Sequence, residues 1–572
     1  MNILGISSYL HNASAALIVN GQLLSAVEEE RLNKEKYTNA FPYNSINFCL
    51  RQNNMTFDDI DAISIGWNPY LELFQSVKHF VRYFPNTLNI IRSNSTDAPI
   101  LPRLKRIVFL ENELKRHFSL KKCPPIHYVQ HHLAHAANAY YESGYSHAAI
   151  LVMDGLGDNY DSVTVWRASK SSIKKVLSIK FPHSIGILYY CIQAYLGFPD
   201  NSGAGKVMGL SSYGDKSYEY HFDNLVRLGN NGTFKLDLSM LRYHLYGNNQ
   251  PYSRNFIKQY GEPRNIYDDI DPSHENTAYA LQKLTERIVL HVCKYIYDST
   301  GEDNLCISGG VGLNCVANGV LAEHKIFKNI FVSNAPHDAG TSIGAGYWTS
   351  HLYGIDNLQN KCGAYTGPEY TDEEVASILE SLSDGTRFGY IRVDNPGKIA
   401  AERIYNGEIV GWFQGRLEFG PRALGNRSIL ADPRDPNMKE LLNQKVKFRE
   451  GFRPFAPSVM IEYASEYFNP VNTSPYMSFV SHVNIDKRDE IPAVTHVDGT
   501  ARVQTVQREQ NRLYYELIEE FKNLTGVPLV LNTSLNIKGM PICASPEDAV
   551  NCFLFSEMDC LIIGHYYVWK LK

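Results

Sequence analysis

Short, nearly uninterrupted apolar runs at residues 3–7, 15–19 and 23–27 predict three strands. The Asn20-Gly21 pair between the second and third is a type I′ turn signal, so the three fold as an antiparallel meander. Helical spacing predicts a helix over 45–53, and a strand follows at 62–67. From residue 69 to 125 the chain is aromatic and basic without a clear period, which reads as a helical excursion from the main sheet. Regular patterning returns with a helix over 131–141, an apolar strand at 148–153, a turn marked by Gly155 and Gly157, and a strand at 163–166. The second meander repeats the first, which suggests two copies of one strand-strand-strand-helix unit.

Downstream, an amphipathic helix over 278–297 precedes a buried strand at 305–308, the glycine-rich stretch SGGVGLN, a strand at 330–333 and a helix opening at Asp338. Residues 354–366, polar and rich in Gly and Asn, read as a linker. Beyond them, helices at 373–383, 396–405, 437–444, 514–522 and 546–553 alternate with strands at 388–393, 409–413, 529–531 and 560–563. The fold class expected is α/β throughout, in two domains, 1–353 and 367–572. The length of 572 residues requires the division, because single cores stop growing at roughly 250–300 residues.

A net charge of −5 with no sustained basic run removes the broad electrostatic footprint of a nucleic-acid binder. Ten scattered cysteines form no C-x-x-C pair, which argues against a structural zinc site or a disulfide framework and fits a reducing cytoplasm. The first residues carry no positive n-region, and no stretch of about 18 apolar residues occurs. Neither export by a signal peptide nor a membrane span is therefore expected; a homo-oligomer is left open.

The strongest chemical signal is His131-His132-Leu133-Ala134-His135 on a predicted helix. His131 and His135 lie four apart, so both project from one face and can grip one metal ion. A surface helix that merely carries three histidines is the bland alternative. Two aspartates weigh against it: Asp154 closes the strand ILVMD, and Asp338 opens a helix after a strand. Carboxyl ends of strands are where open α/β sheets bind ligands. Mixed imidazole and carboxylate ligation suits Fe(II), Mn(II) or Zn(II) better than calcium or magnesium, which favour all-oxygen shells.

Gly309, Gly310 and Asn314 follow a strand and open a helix, where backbone N–H groups could face a phosphate. Lys206, in GKVMGL, adds a cation, although glycines often mark mere turns. Arg416, Arg422, Arg427, Lys447, Arg449, Arg453 and Arg502 stand among Gly, Pro and Asn in the C-terminal half, a setting that favours a phosphate-binding cleft over a solvated face. Asn532 and Ser534 could hold a carbonyl or phosphate at a strand end. Neither a G-x-S-x-G elbow nor a P-loop is present.

Together HNASAAL, EEER, HHLAH, LVMDGLGD, KVMGL, SGGVGLN, HDAGTSIGAG, GPRALGNRS, RPFAPS and LNTSLN, in this order, resemble the O-carbamoyltransferases of antibiotic and nodulation-factor biosynthesis, the NodU/CmcH family. The resemblance implies an N-terminal domain of the actin-like ATPase fold, similar to the tRNA threonylcarbamoyl transferase, followed by a YrdC-like α/β domain. It implies that carbamoyl phosphate and Mg-ATP give carbamoyl adenylate in the second domain, and that the carbamoyl group passes to a hydroxyl of a small-molecule acceptor in the first. Carried over residue by residue, His131, His135, Asp154 and Asp338 match metal ligands, expected to hold iron. Arg422, Lys447, Arg453, Arg502, Asn532 and Ser534 match the adenylate-forming site, and His11 and Lys36 match positions lining the transfer site. His11, an imidazole that ordinarily titrates near neutrality, is a candidate general base. Two departures stand out: Asn12 where the family more often shows aspartate, and DNSGAGK where it shows the shorter DNPGK.

A fused tRNA threonylcarbamoyladenosine synthase would share both halves, but would use threonine and bicarbonate and carry a basic surface, which the net charge disfavours. A non-catalytic ATP-dependent binding module would leave the metal-ligand set and the arginines without a role.

Overall fold

In the computed structural model, residues 1–8, 11–87, 109–170, 172–355, 357–358, 360–383, 385–471 and 473–571 are described, without the Asn249 side chain. Strands β1 (Asn2–Ser7), β2 (Ser14–Val19) and β3 (Gln22–Glu28) form the expected meander, with Asn20 and Gly21 at φ of 49° and 80° as a type I′ turn requires. β4 (Ala62–Ile65) and β5 (Ile126–Tyr128) extend the sheet in parallel on the other side of β1. The order is β3-β2-β1-β4-β5.

The same path is traced again by β6 (His147–Met153), β7 (Asp161–Ser169), β8 (Ser172–Lys180), β11 (Asn304–Ser308) and β12 (Asn329–Val332), in the order β12-β11-β6-β7-β8. A two-stranded ribbon, β9 (Val226–Leu228) with β10 (Phe234–Leu236), lies between them in the chain. Two sheets built by one rule give a duplicated α/β arrangement. β8 is an edge strand that the apolar pattern alone does not announce: Lys174 and Lys175 break its alternation, and such charges keep a free edge from pairing with another chain.

Between residues 69 and 125, helices form at Pro69–Tyr83 and Leu110–His117, and the part of this excursion from 88 to 108 lies outside the described residues. The helices His131–Ser143 and Gly340–Leu352 pack with their backbones touching, because a Cβ on Gly344 would stand 1.8 Å from the Ala134 carbonyl oxygen. The second helix begins two residues later than expected, which leaves Asp338 in the turn before it.

The chain divides into two compact units, Met1–Glu29 with Tyr37–Lys361, and Glu30–Lys36 with Cys362–Lys572. The division at 361/362 falls within the stretch read as a linker. The segment Glu30–Lys36 departs from the expected span of 1–353, and its charges explain why. Arg31, buried beside Glu30, donates to the Gly420 carbonyl at 2.9 Å, and Lys34 pairs with Asp548.

The second unit is a ten-stranded mixed sheet: β13 (Phe388–Arg392), β14 (Val410–Phe413), β15 (Arg427–Ala431), β16 (Ala456–Met460), β17 (Phe468–Asn469), β18 (Phe479–Val483), β19 (Thr500–Val506), β20 (Leu529–Ser534), β21 (Cys560–Ile563) and β22 (Tyr566–Lys570). Their order is β13-β22-β21-β14-β15-β20-β16-β19-β18-β17. Trp412, Phe455, Val459, Leu517 and Leu531 are among the side chains of its core. Among the described residues no helix is long and apolar enough to cross a membrane.

Candidate functional site

The carboxyl end of β6 and the start of the His131–Ser143 helix bring the predicted ligands together. One donor atom from each of His131, His135, Asp154 and Asp338 lies within 4.8 Å of every other. The two Nε2 atoms are 3.2 Å apart. Asp154 Oδ2 stands 3.1 Å from His131 Nε2 and 3.8 Å from His135 Nε2, and Asp338 Oδ1 is 3.6 Å from both.

The far side of each ring fixes which nitrogen faces inward. His131 Nδ1 is 3.1 Å from the Gly66 carbonyl, an oxygen that can only accept. His135 Nδ1 is 3.3 Å from Ser308 Oγ, whose own proton goes to the Pro336 carbonyl. Both rings therefore carry a proton on Nδ1 and direct Nε2 at the two carboxylates, the tautomer a metal ligand needs. Two imidazole nitrogens, the buried Asp338 and the half-buried Asp154 at this spacing fit a divalent cation.

The pocket's electrostatics favour positive charge beside the two carboxylates, which either a proton on His131 Nε2 or a cation in its place would supply. Burial opposes protonation of His131, but hydrogen bonds and charge from Asp154 and Asp338 prevail and hold its pKa well above the ordinary value. Burial, with the charge of His131 beside it, lowers that of His135. Burial and the Asp338 charge push Asp154 up, yet the imidazoles overcome them and hold it at about 2. Asp338 is likewise held well below the usual range, against burial, by His11 and both ring partners. The middle histidine, His132, is a core residue: burial pushes it down to about 3, and its Nδ1 meets Thr164 Oγ1 at 2.9 Å.

His11 is exposed, with Nδ1 2.9 Å from Asn12 Oδ1 and 3.7 Å from Asp338 Oδ2, so it lies at the edge of this pocket. Asn12 adopts the left-handed φ of 65°, which asparagine tolerates.

The glycine-rich turn serves the metal pocket more directly than a phosphate. Gly309, at φ 86° and ψ 158°, lies so close to the end of β6 that a Cβ would meet the Met153 carbonyl oxygen at 2.2 Å. That approach lets the Gly310 N–H donate to Asp154 Oδ1 at 3.2 Å. The helix expected directly after it starts only at Cys315, following a 3-10 turn at Gly310–Leu313. Asn314 caps that helix through Ala317 N and exchanges two amide bonds with Gln282, so its side chain is committed to structure. Lys206 pairs with Asp200 at 3.2 Å.

In the second unit the cations sort into two groups. Arg427 is fully buried over the Phe413 ring and donates to the carbonyls of Gln414, Asn426, Pro368 and Gly415 at 2.5, 3.0, 3.1 and 3.1 Å; burial pushes it down to about 10. Arg416 binds the Thr366 and Gly367 carbonyls. These two brace loops, and the phosphate role read for them in sequence gives way to that of main-chain clamps.

The other group gathers around β19 and β20. Burial, then the charges of Arg453 and Arg502, hold Arg449 well below its ordinary range. Arg502 Nε is buried with no hydrogen-bond partner. Lys447 ends a π-helical turn, Leu442–Lys447, after which Phe448 takes the left-handed φ of 47°. Its ammonium donates to Asn536 O and Asn536 Oδ1, both at 2.9 Å, and to the Ser534 carbonyl; burial and neighbouring Arg449 lower its pKa far below normal, with Lys36 contributing. Asn532 donates to Ser458 Oγ and Gln504 Oε1, each at 3.0 Å, while its own Oδ1 is buried without a partner. Arg422 and Arg453 are half-buried. Lys36, matched in sequence to the transfer site, belongs to this unit.

Asp158 is absent from the residues singled out as site groups on sequence. The signal for Asp158 is an aspartate four residues after Asp154 in one Gly-rich turn.

Fold and site define a two-unit α/β protein, with a metal-competent pocket in one unit and a cation-lined site in the other. Residues 2–347 match the family described as Carbamoyltransferase N-terminus, and residues 401–570 match Carbamoyltransferase C-terminus. The chain is 37% identical to the Nodulation protein NolNO of Sinorhizobium fredii, over 99% of this chain and 80% of that one. It is 36% identical to the Synechocystis protein sll1178, over 100% and 97%. A solved structure, the (R)-2-hydroxyglutaryl-CoA dehydratase component A of Acidaminococcus fermentans, covers 62% of this chain and 99% of its own at 11% identity and a TM-score of 0.34, too loose a likeness to bear on function. The chain belongs to the carbamoyltransferase family.

Proposed function

We propose that this carbamoyltransferase is ATP-dependent and works through carbamoyl adenylate. In the YrdC-like second unit the carbamate portion of carbamoyl phosphate, freed of its phosphate by water, attacks the α-phosphorus of ATP, and pyrophosphate leaves. In the first unit a hydroxyl of a small-molecule acceptor, a natural product or a sugar, attacks the carbamoyl carbon and AMP leaves.

The observation that carries this reading is that each unit holds chemistry suited to one half-reaction. Arg422, Arg453 and Arg502 supply guanidinium groups for phosphate oxygens, joined by Arg449. Lys447 braces the Asn532–Asn536 turn, where the Asn532 oxygen and the Ser534 hydroxyl can orient the carbamoyl amide. A divalent ion, iron(II) or another metal of the same ligand preference, would be held by His131, His135, Asp154 and Asp338 and would supply Lewis-acid charge where negative charge develops during transfer. His11, at the pocket's edge, is placed to take the acceptor's proton. Gly309 and Gly310 shape the floor beside that pocket through Met153 and Asp154, and Lys206 and Asn314 remain candidates for contact with the nucleotide.

Pyrophosphate release from ATP with carbamoyl phosphate, in the absence of acceptor, tests the division. Release by wild type and His135→Ala, and its loss in Arg453→Ala, is the result expected. Release with threonine and bicarbonate in place of carbamoyl phosphate would overturn the reading in favour of a tRNA-modifying synthase.

A further inference from the structure

His131 is held by three residues that do not ligate, Asp158, Gly66 and Trp67. Its main-chain N–H, in the first helical turn, has no partner within the helix, and Gln130 before it provides no side-chain cap. Asp158 takes that role from outside the helix: it is 1% exposed, and its Oδ2 accepts the His131 N–H at 2.9 Å. The same oxygen accepts the Asn68 N–H at 2.7 Å. Asn68 caps the Pro69–Tyr83 helix, its Oδ1 accepting from Tyr70 N and Leu71 N at 3.1 and 3.3 Å. Gly66, two residues earlier, accepts from His131 Nδ1, and the edge of Trp67 packs on the imidazole at 4.8 Å between centroids.

Asp158 also shares a turn with the ligand Asp154. Asp154 N–H donates to the Ser162 carbonyl at 2.9 Å, and Gly157 N–H to the Asp161 carbonyl at 2.8 Å, so the turn between the two aspartates is tied down at both ends. A carboxylate at one end of this turn faces the metal pocket, and one at the other end holds the helix that supplies both imidazoles. A negative group at a helix N-terminus is favoured by the helix dipole as well as by its hydrogen bonds.

We infer that Asp158 is a positioning residue of the metal centre, joining the Asp154 turn, the His131–Ser143 helix and the start of the Pro69–Tyr83 helix through one carboxylate oxygen. This rests on the metal-site reading above. Residues that orient metal ligands typically cost 10- to 100-fold in affinity when changed. Asn at this position keeps an acceptor oxygen and loses the charge; Ala loses both.

The test uses the full chain stripped of metal with a chelator. Cobalt(II) affinity is measured by calorimetry and by its visible absorption, alongside acceptor-free pyrophosphate release and thermal melting. Asp158→Asn is expected to bind cobalt(II) about 10-fold more weakly and Asp158→Ala about 100-fold, with pyrophosphate release unchanged in both. Binding by Asp158→Asn within twofold of wild type would overturn the proposal. So would a parallel loss of melting cooperativity and pyrophosphate release in Asp158→Asn, which would mark a general structural role. A wild type that takes up no cobalt(II) would remove the metal-site reading itself, and the proposal with it.

Discussion

Replacing Gly309 by alanine adds one methyl group at the point where two strands deliver the metal pocket. At φ 86° and ψ 158° the backbone lies in a region that is essentially glycine's alone, where a side chain costs about 1–3 kcal/mol before any clash is counted. The new Cβ would stand 2.2 Å from the Met153 carbonyl oxygen and 2.6 Å from its carbon, more than an ångström inside van der Waals contact. These are main-chain atoms of a buried strand end, so no rotamer change relieves the overlap; the turn must move away from β6. The Gly310 N–H then leaves Asp154 Oδ1, and the carboxylate loses the donor that orients it. A displacement near 1 Å at a catalytic group can cost on the order of 100-fold in rate. Gly309→Ala is therefore expected to weaken cobalt(II) binding and to lower carbamoyl transfer by that order, with acceptor-free pyrophosphate release intact. Calorimetry on the metal-free chain and a transfer assay on any accepted hydroxyl compound measure the two effects. Wild-type affinity in Gly309→Ala would refute the coupling between the turn and the pocket and restore the turn to a phosphate role.

Other perturbations read different parts of the molecule. Arg427→Ala strands four main-chain carbonyls in the core of the second unit and is expected to destabilise it by about 3 kcal/mol or more, seen as a melting shift on the order of 10 °C; a shift under about 2 °C would contradict the clamp. Burial pushes the Glu142 carboxyl up to about 8, with Asn360 alone bonding one oxygen and the other buried without a partner. Because its folded pKa lies above the unfolded one, its contribution is fully present below about pH 4.5 and is lost as pH rises towards 8; Glu142→Gln should flatten that part of the melting profile, and an unchanged profile would count against it. Lys36→Ala should lower acceptor-free pyrophosphate release several-fold, since Lys36 clusters with the unit of Lys447; normal release with lost transfer would return it to the transfer site.

The metal pocket was legible because helical spacing and strand ends are local properties. His131 and His135 share a face by periodicity alone, and Asp154 and Asp338 follow apolar strands that any alternation analysis finds. The duplicated sheet was legible for the same reason, except β5, only three residues long, and β8, whose lysines hide its alternation. In the second unit, strands β15 to β19 and β22 are not evident in the sequence pattern. β16 contains Pro457, which a central strand normally excludes; here Pro457 pairs only with Leu531 of β20, and the ladder to β19 begins one residue later at Ser458. Residues 30–36 were assigned to the wrong unit because no local pattern reveals that Arg31 reaches the Gly420 carbonyl, 389 residues away.

The arginines show why composition locates a site without naming its members. Loops rich in Gly and Pro make few regular hydrogen bonds, so they expose carbonyls that need donors. A guanidinium has five donors and satisfies several carbonyls at once, which is what Arg427 and Arg416 do for residues 366–368, 414–415 and 426. The density of Gly, Pro and Arg that suggests a phosphate cleft is thus produced equally by a loop stapled to itself. What separates the two roles is where the terminal nitrogens go. Arg427 spends both of its own on carbonyls, while its Nε, like that of Arg502 on β19, is buried with no partner among the described residues, and the Asn532 oxygen on β20 is buried in the same way. Buried polar atoms without partners cost more to leave empty than to fill with a ligand, and in the proposed function the Arg502 donor and the Asn532 acceptor, on the two strands that flank β16, would be filled by the carbamoyl adenylate.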